Sequence, residues 1–415
     1  MMNLKKHSKL RPRTSPSSRG LLLHFSVGLC ATAGLGLLVF FWRAPDPVRS
    51  LNDKTFAPYR VVSSEPISPT NFVLTVEPAS PSTPVPDALG RAWRHGTFSV
   101  EIKQPEIQVA REYTPLPPAP DDPAAGHPRR LRFLVRALAG GEVSTYLGRL
   151  RAGDSVELRG PHLGPDVRAR LGRHGPPHHV VFVAGGTGIA PALQVAGAVL
   201  DGDPAAPAHP AADPAQPRVA VIWANRQRAD CAGCEALEAP TSASALGPVM
   251  RQLADLKRRH GPRFSVVCTV DEERRFIDAT TILEAAGAVV GAQNRRRQQQ
   301  QQQEQEQEQT RRVDDQDDMC RYHGRTATAW STGQDPPQRD GGRARDGHGQ
   351  GCVCADGSGG RNLLLVSGPE GFVAHFAGPK VWAQGRQLQG EVRGVVGELM
   401  AKRPDFWADW LVLKL

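Results

Sequence analysis

Three glycines stand between an apolar run and an apolar helical pattern in His179-Val-Val-Phe-Val-Ala-Gly-Gly-Thr-Gly-Ile-Ala-Pro191. Residues 180–184 read as a buried parallel strand and residues 189–200 as a helix. A strand, a glycine turn and a helix start together make an anion site. Glycine lets the backbone approach a phosphate, and unpaired amides with the helix dipole favour negative charge. The spacing Gly186-x-Gly188-x-x-Pro191 departs from the dinucleotide fingerprint, because proline stands at the third glycine. No Lys-Ser or Lys-Thr follows, which excludes a P-loop. By itself the loop is equally readable as a plain strand-to-helix connection.

Two kinds of element must position such a loop. Residues 59–63, 71–76, 97–102, 107–109, 131–136 and 155–159 read as short strands separated by Pro/Gly/Asp clusters, and a helical turn covers 143–150. That pattern suits a small antiparallel β-barrel over 57–165. From 178 to 415 strands at 180–183, 219–223, 264–270 and 362–366 alternate with helices at 189–200, about 244–259 and 279–287. This predicts a parallel-sheet α/β domain with ligands at the carboxyl ends of its strands. The expected fold class is therefore β + α/β. The second domain is interrupted over 291–360 by Arg295-Arg-Arg297, a Gln/Glu tract, an acidic patch and a Gly/Arg/Asp run. Nothing there can bury a core, so it reads as a disordered, low-complexity insert or as retained intron-derived sequence.

Net charge of +9 is unevenly spread: six Lys or Arg lie in residues 1–19, and no acid precedes Asp46. Since no basic helix with interleaved aromatics follows, nucleic-acid binding is excluded as the reason for the charge. The leader is presequence-like, as for a mitochondrial protein. Residues 20–42 are long and apolar enough for a single transmembrane helix, closed by Phe40, Phe41, Trp42 and Arg43. A cleaved signal is the rival reading, although small residues do not close the segment. A linker over 43–56 follows. The positive bias places the N-terminus in the matrix or cytosol; with a mitochondrial leader, the rest of the chain faces the intermembrane space from the inner membrane. Seven cysteines, one of them in the expected span and three in the insert, do not make a disulfide framework. Cys231-Ala-Gly-Cys234 has redox or metal spacing without a second pair, and Cys320-x-x-His323 with Cys352 and Cys354 lies in low-complexity sequence, so no metal is expected.

Four motifs, taken together and in order, resemble the ferredoxin reductase superfamily, which includes the NADH–cytochrome b5 reductases. They are Arg111-Glu-Tyr113-Thr114-Pro115, then Gly141-Glu-Val-Ser-Thr-Tyr-Leu147 leading to Gly153-Asp154 and Arg159-Gly-Pro161, then the glycine loop, then Ser367-Gly-Pro-Glu-Gly-Phe372. The resemblance covers about 55–415 apart from the insert. It implies an FAD-binding barrel and an NAD(P)-binding domain. For FAD it implies Arg111, Tyr113, Thr114, Gly141, Val143 and Ser144. Arg111 would supply a planar cation to the pyrophosphate, Tyr113 and Thr114 would meet the ring, and the amides at Val143 and Ser144 would meet the pyrophosphate. For NADH or NADPH it implies Gly185, Gly186, Thr187, Gly188 and Pro191 on one side, with Ser367, Gly368 and Pro369 on the other. Hydride transfer is cofactor chemistry, so no catalytic acid or base is expected. Pro117 and Ser367 depart from the usual Ser and Cys, which points to a slow, specialised reductase.

Ser367 and the tail from Phe376 to Leu415 resemble a group of membrane-anchored fungal flavoproteins of mitochondrial cytochrome c import. That likeness implies a haem-protein electron acceptor, cytochrome c or its haem-attachment machinery, with haem iron reduced during cytochrome c maturation. A general cytochrome b5 reductase-like enzyme and a non-catalytic assembly scaffold are the alternatives. Nucleotide choice is read from the residues themselves. The strand at 219–223 ends in Ala224-Asn225-Arg226-Gln227-Arg228, with no acid before Asp230. Arg226 and Arg228 are candidates for a 2′-phosphate, or else solvated loop residues; the former predicts NADPH use within about tenfold of NADH.

Overall fold

Alternation along the first strands decides the first sheet. In β3 (Phe98–Gln104) every second residue is buried, so one face packs inward while the other meets solvent or a covering loop. Seven strands pair antiparallel, in the order β4 (Val109–Tyr113), β3, β7 (Ser155–Leu163), β1 (Ala57–Pro66), β2 (Asn71–Pro78), β6 (Leu131–Arg136) and β5 (Pro115–Leu116). The two edge strands, β4 and β5, are joined by Thr114 alone. The sheet therefore curls until its edges meet at that residue, and the Arg111–Thr114 motif lies on the seam. A strand was expected at 107–109. Residues 105–108 are instead a turn, with Gln108 at φ 57, and the strand starts at Val109. Helix α1 (Asp87–His95), unanticipated, lays Trp93 edge-on against Phe98.

The computed structural model describes residues 50–84, 86–118, 129–171, 178–202, 216–238, 246–287, 361–383 and 386–415. The expected leader, membrane span and 291–360 insert lie outside them, as do Cys320, His323, Cys352 and Cys354. Among the described residues no helix is long and apolar enough to cross a membrane.

Continuous apolar runs mark the second sheet. All seven residues of β8 (His179–Gly185) and all six of β11 (Asn362–Ser367) are buried, as strands covered on both faces must be. The sheet is wholly parallel, ordered β10 (Phe264–Val270), β9 (Arg218–Asn225), β8, β11 and β14 (Trp410–Lys414). The chain runs outward from β8 to β10 and then returns to add β11 on the other side. The topological switch point, where open α/β sheets bind ligands, is thus between the carboxyl ends of β8 and β11. The helices that matter below are α2 (Glu142–Arg149), α3 (Ile189–Leu200), α4 (Pro248–His260), α5 (Ala279–Gly287) and α6 (Glu370–Ala377). A short hairpin, β12 (Val381–Ala383) with β13 (Arg386–Leu388), interrupts the tail.

The two sheets share a core. Val73, Leu116 and Leu134 of the first pack in one cluster with Phe182, Ile189 and Leu193 of the second. Each such side chain contributes about 1.5–3 kcal/mol on burial. Opposite it, α5 and α6 close the other face of the parallel sheet.

One disulfide corrects the cysteine reading. Parallel pairing sets Cys268 of β10 beside Trp223 of β9, and the loop after β9 folds back so that Cys234 bonds Cys268. The redox or metal spacing of Cys231 and Cys234 is not where the bond forms. Cys231 stays a free, buried thiol, pushed up to about 11 by burial.

Candidate functional site

The glycine loop and the Ser367 loop meet at the switch point. Gly188 has an ordinary helical φ of −59, so its backbone suits any residue. Space is what demands glycine: a Cβ there would stand 2.3 Å from the Ser367 carbonyl oxygen. Phe372 fills the neighbouring gap, its ring close enough to Gly185 and Gly368 that a Cβ on either would lie under 3 Å away. Gly186 takes φ 54, which glycine adopts without strain, and its carbonyl accepts the buried Trp223 indole N–H at 2.8 Å. Thr187 is half-buried in the turn, and Pro191 sits in the first turn of α3, where no amide donor is needed. Pro369 caps α6 from an exposed position. Of the expected nucleotide residues, the structure brings Gly185, Gly186, Gly188, Ser367 and Gly368 into this one junction, with Thr187, Pro191 and Pro369 on its loops.

On the barrel seam, Arg111 and Tyr113 leave β4 beside the start of α2. Arg111 Nη2 lies 3.8 Å from Glu142 Oε2, and both side chains are more than half exposed, at 59% and 54%. The first hydrogen bond of α2 runs from the Thr145 amide to the Gly141 carbonyl. The amides of Glu142, Val143 and Ser144 therefore precede the helical ladder and face outward as donors. The Ser144 hydroxyl is already used: it accepts from the Leu138 amide at 3.2 Å and donates to the Gly141 carbonyl at 3.3 Å. Ser144 thus offers its amide and not its side chain. A cleft of about 430 Å³ opens alongside, lined by Gln104, Glu106, Gly140, Gly141, Glu142 and Tyr146 among others. Tyr113 packs edge-on to Phe133, and burial pushes its phenol up to about 12, so it stays neutral. The Arg111 guanidinium, the unladdered amides at the start of α2 and the neutral Tyr113 phenol lie on the seam beside this cleft, and donors of these kinds suit the diphosphate and ring of FAD.

Four positioning groups were not foreseen. Gln194, 4% exposed on α3, accepts from the Phe98 amide at 3.0 Å and donates to the Pro115 carbonyl at 2.9 Å. It stitches the flavin seam to the helix after the glycine loop. Gln252 of α4 donates to the Pro117 carbonyl at 2.6 Å. Arg136, at the end of β6, stands 3.7 Å from where a Cβ on Gly186 would sit, and 3.9 Å from Asp230. Asp230, its side chain 1% exposed, also accepts from the Ser68 hydroxyl at 2.6 Å. A lone Gln inside the otherwise apolar run 189–200 was the legible signal for Gln194. Nothing local marked Arg136 or Asp230, which meet across a separation of 94 positions.

Arg228, one of the two 2′-phosphate candidates, has carboxylate partners in the structure. No acid stands between Val219 and Asp230, but β10 lies beside β9, and its following turn delivers Glu272 and Glu273 to the same edge. Arg228 Nε and Nη2 both bond Glu273, Nη1 reaches Glu235 at 3.3 Å, and the Arg228 amide bonds Glu272. Its charge is already neutralised. Arg226 is exposed, with its carbonyl accepting from the Glu272 amide.

Comparison with known proteins gives the following likenesses. Residues 93–164 match the family model described as oxidoreductase FAD-binding domain. NADH-cytochrome b5 reductase 1 of Aspergillus fumigatus is 31% identical over 177 residues, 42% of this chain and 52% of that protein. An uncharacterized FAD-binding protein of Schizosaccharomyces pombe is 32% identical over 149 residues, 36% of this chain and 49% of that one. The chain spans about half the length of the curated relatives it matches. Among solved structures, the cytochrome b5 reductase domain of Ulva prolifera nitrate reductase is similar at 21% identity and TM-score 0.37, covering 56% of this chain and 82% of that one. The CS-b5R domains of human Ncb5or are similar at 13% identity and TM-score 0.44, covering 86% and 69%. Over residues 93–164 the chain is therefore similar to oxidoreductase FAD-binding domains, and its relatives include an NADH-cytochrome b5 reductase and an FAD-binding protein.

Proposed function

We propose that this chain is an NAD(P)H-dependent flavoprotein reductase that passes electrons to a haem-protein acceptor. One observation carries the reading: the seam that holds Arg111 and Tyr113 is tied by Gln194 to the helix that follows the glycine loop. A flavin cradle and a nucleotide cradle thus share one rigid connection, as two rings held for transfer require. FAD, when bound, supplies the step from two-electron to one-electron chemistry.

The protein's own residues do the rest. Arg111 and the amides at the start of α2 hold a diphosphate. The junction of Gly188 with Ser367 leaves no room for side chains, so a nicotinamide approaches backbone on both sides. Arg136, held by Asp230, adds positive charge beside Gly186. Because Arg228 is bonded to Glu273, with Glu272 and Glu235 close by, a 2′-phosphate meets carboxylates at this edge. NADH is then preferred over NADPH by more than the tenfold margin read from the sequence.

For the acceptor, we infer haem iron of cytochrome c or its attachment machinery, reached from the intermembrane face of the inner membrane. The presequence-like leader, the apolar segment at 20–42 and the tail beyond Phe376 support this reading. A general cytochrome b5-type reductase is the second reading, favoured by the curated relatives. Reduction of purified cytochrome b5 and of cytochrome c-bound haem, side by side with NADH as donor, separates the two.

A further inference from the structure

The start of α2 carries a group that opposes the ligand it would bind. Glu142 is the acid in the first turn of this helix, where a carboxylate is favoured by the same dipole that favours a phosphate. Its carboxylate also stands 3.8 Å from Arg111 Nη2, the guanidinium assigned to the diphosphate. The adjoining cleft is lined by a second carboxylate, Glu106, against one cation, Arg149. By contrast, the first turn of α3 carries no acid. An ion pair this exposed is weak, so a ligand displaces it, yet the negative charge stays beside the incoming one.

We propose that Glu142 sets the affinity of the flavin site by competing with the FAD diphosphate for Arg111 and for the amides of α2. The inference rests on the FAD reading of this cleft. Its consequence is a flavin held less tightly than the fold allows, so that the protein exchanges between apo and loaded forms at ordinary flavin concentrations.

Titrating the full-length apo-protein with FAD, by quenching of flavin fluorescence, tests it without any turnover. Glu142→Gln keeps the helix start and removes the charge. It should tighten FAD binding about tenfold, the order expected when one exposed unit charge near a diphosphate is removed. Riboflavin, which has no phosphate, should bind wild type and variant alike, and the gap for FAD should shrink as salt rises. Glu142→Ala gives the same comparison should the Gln variant fold poorly. FAD affinity within twofold of wild type, or an equal gain for riboflavin, overturns the proposal. Arg111→Ala tells this failure from that of the site itself: it should weaken FAD binding. If Arg111→Ala binds FAD as wild type does, the cleft assignment falls, and the role of Glu142 with it.

Discussion

Two helix starts face the phosphates in this account, and they are built in opposite ways. The start of α3 is closed: its glycine is wedged against the Ser367 carbonyl, its loop is held by Trp223, and its first turn carries no acid. The start of α2 is open: its arginine and glutamate are both more than half exposed and pair only at 3.8 Å. Anion binding at a helix start is set by what already occupies it. Where backbone fills the space, the site is preformed; where a side chain of the protein stands, the ligand must displace it. Buried contacts position the first, and screened charges tune the second.

A Cβ at position 188 should have the largest effect, because the closed cradle cannot yield without moving the backbone of Ser367. Gly188→Ala should weaken NADH binding about a hundredfold, the order expected for an ångström-scale displacement, measured by equilibrium titration of the purified protein. Near-native affinity would show that the two loops part easily, and the contrast between closed and open cradles would be lost.

Next in size is nucleotide choice. Wild type should prefer NADH over NADPH by more than about tenfold in kcat/KM, and Glu273→Gln, by freeing Arg228, should narrow that preference about threefold to tenfold. An unchanged ratio would mean that the edge holding Arg228 does not face the ribose.

The smallest effect concerns the brace behind the closed cradle. Lys414, beside Val366 on β14, donates to the carbonyls of Pro379 and Glu391, the two stems of the β12–β13 hairpin. Burial pushes its ammonium down to about 8. The unfolded chain, with Lys near 10.4, binds the extra proton between those values. The Lys414 contribution to stability should therefore be flat below about pH 8 and rise from there toward pH 10. Lys414→Met should remove that rise, a difference of about 1–2 °C in Tm across the window. Parallel Tm-against-pH curves for the two proteins would contradict it.

The sequence made the closed cradle legible because its parts are contiguous. An apolar run, glycines and a helix pattern announce β8, the loop and α3 in 22 residues, and 189–200 is the observed helix to the residue. The antiparallel strands at 131–136 and the strand at 264–270 were equally clear from alternation or apolar runs. What stayed hidden depends on residues brought together from far apart. Arg228 looked free because Glu273, 45 positions away, arrives only through the pairing of β10 with β9. Cys268 reaches Cys234 by the same pairing, which local cysteine spacing cannot announce. The turn at 105–108 was missed for another reason: Gln108 takes a left-handed φ that its residue type does not advertise.

On the proposed reading the two cradles serve one transfer of electrons from a nicotinamide to a flavin. Purified protein loaded with FAD should be yellow, and one equivalent of NADH added without oxygen should bleach the flavin band in a single reductive step, followed by stopped-flow absorbance. A yellow protein that binds NADH yet keeps its oxidised spectrum would contradict the account and leave the fold as a scaffold.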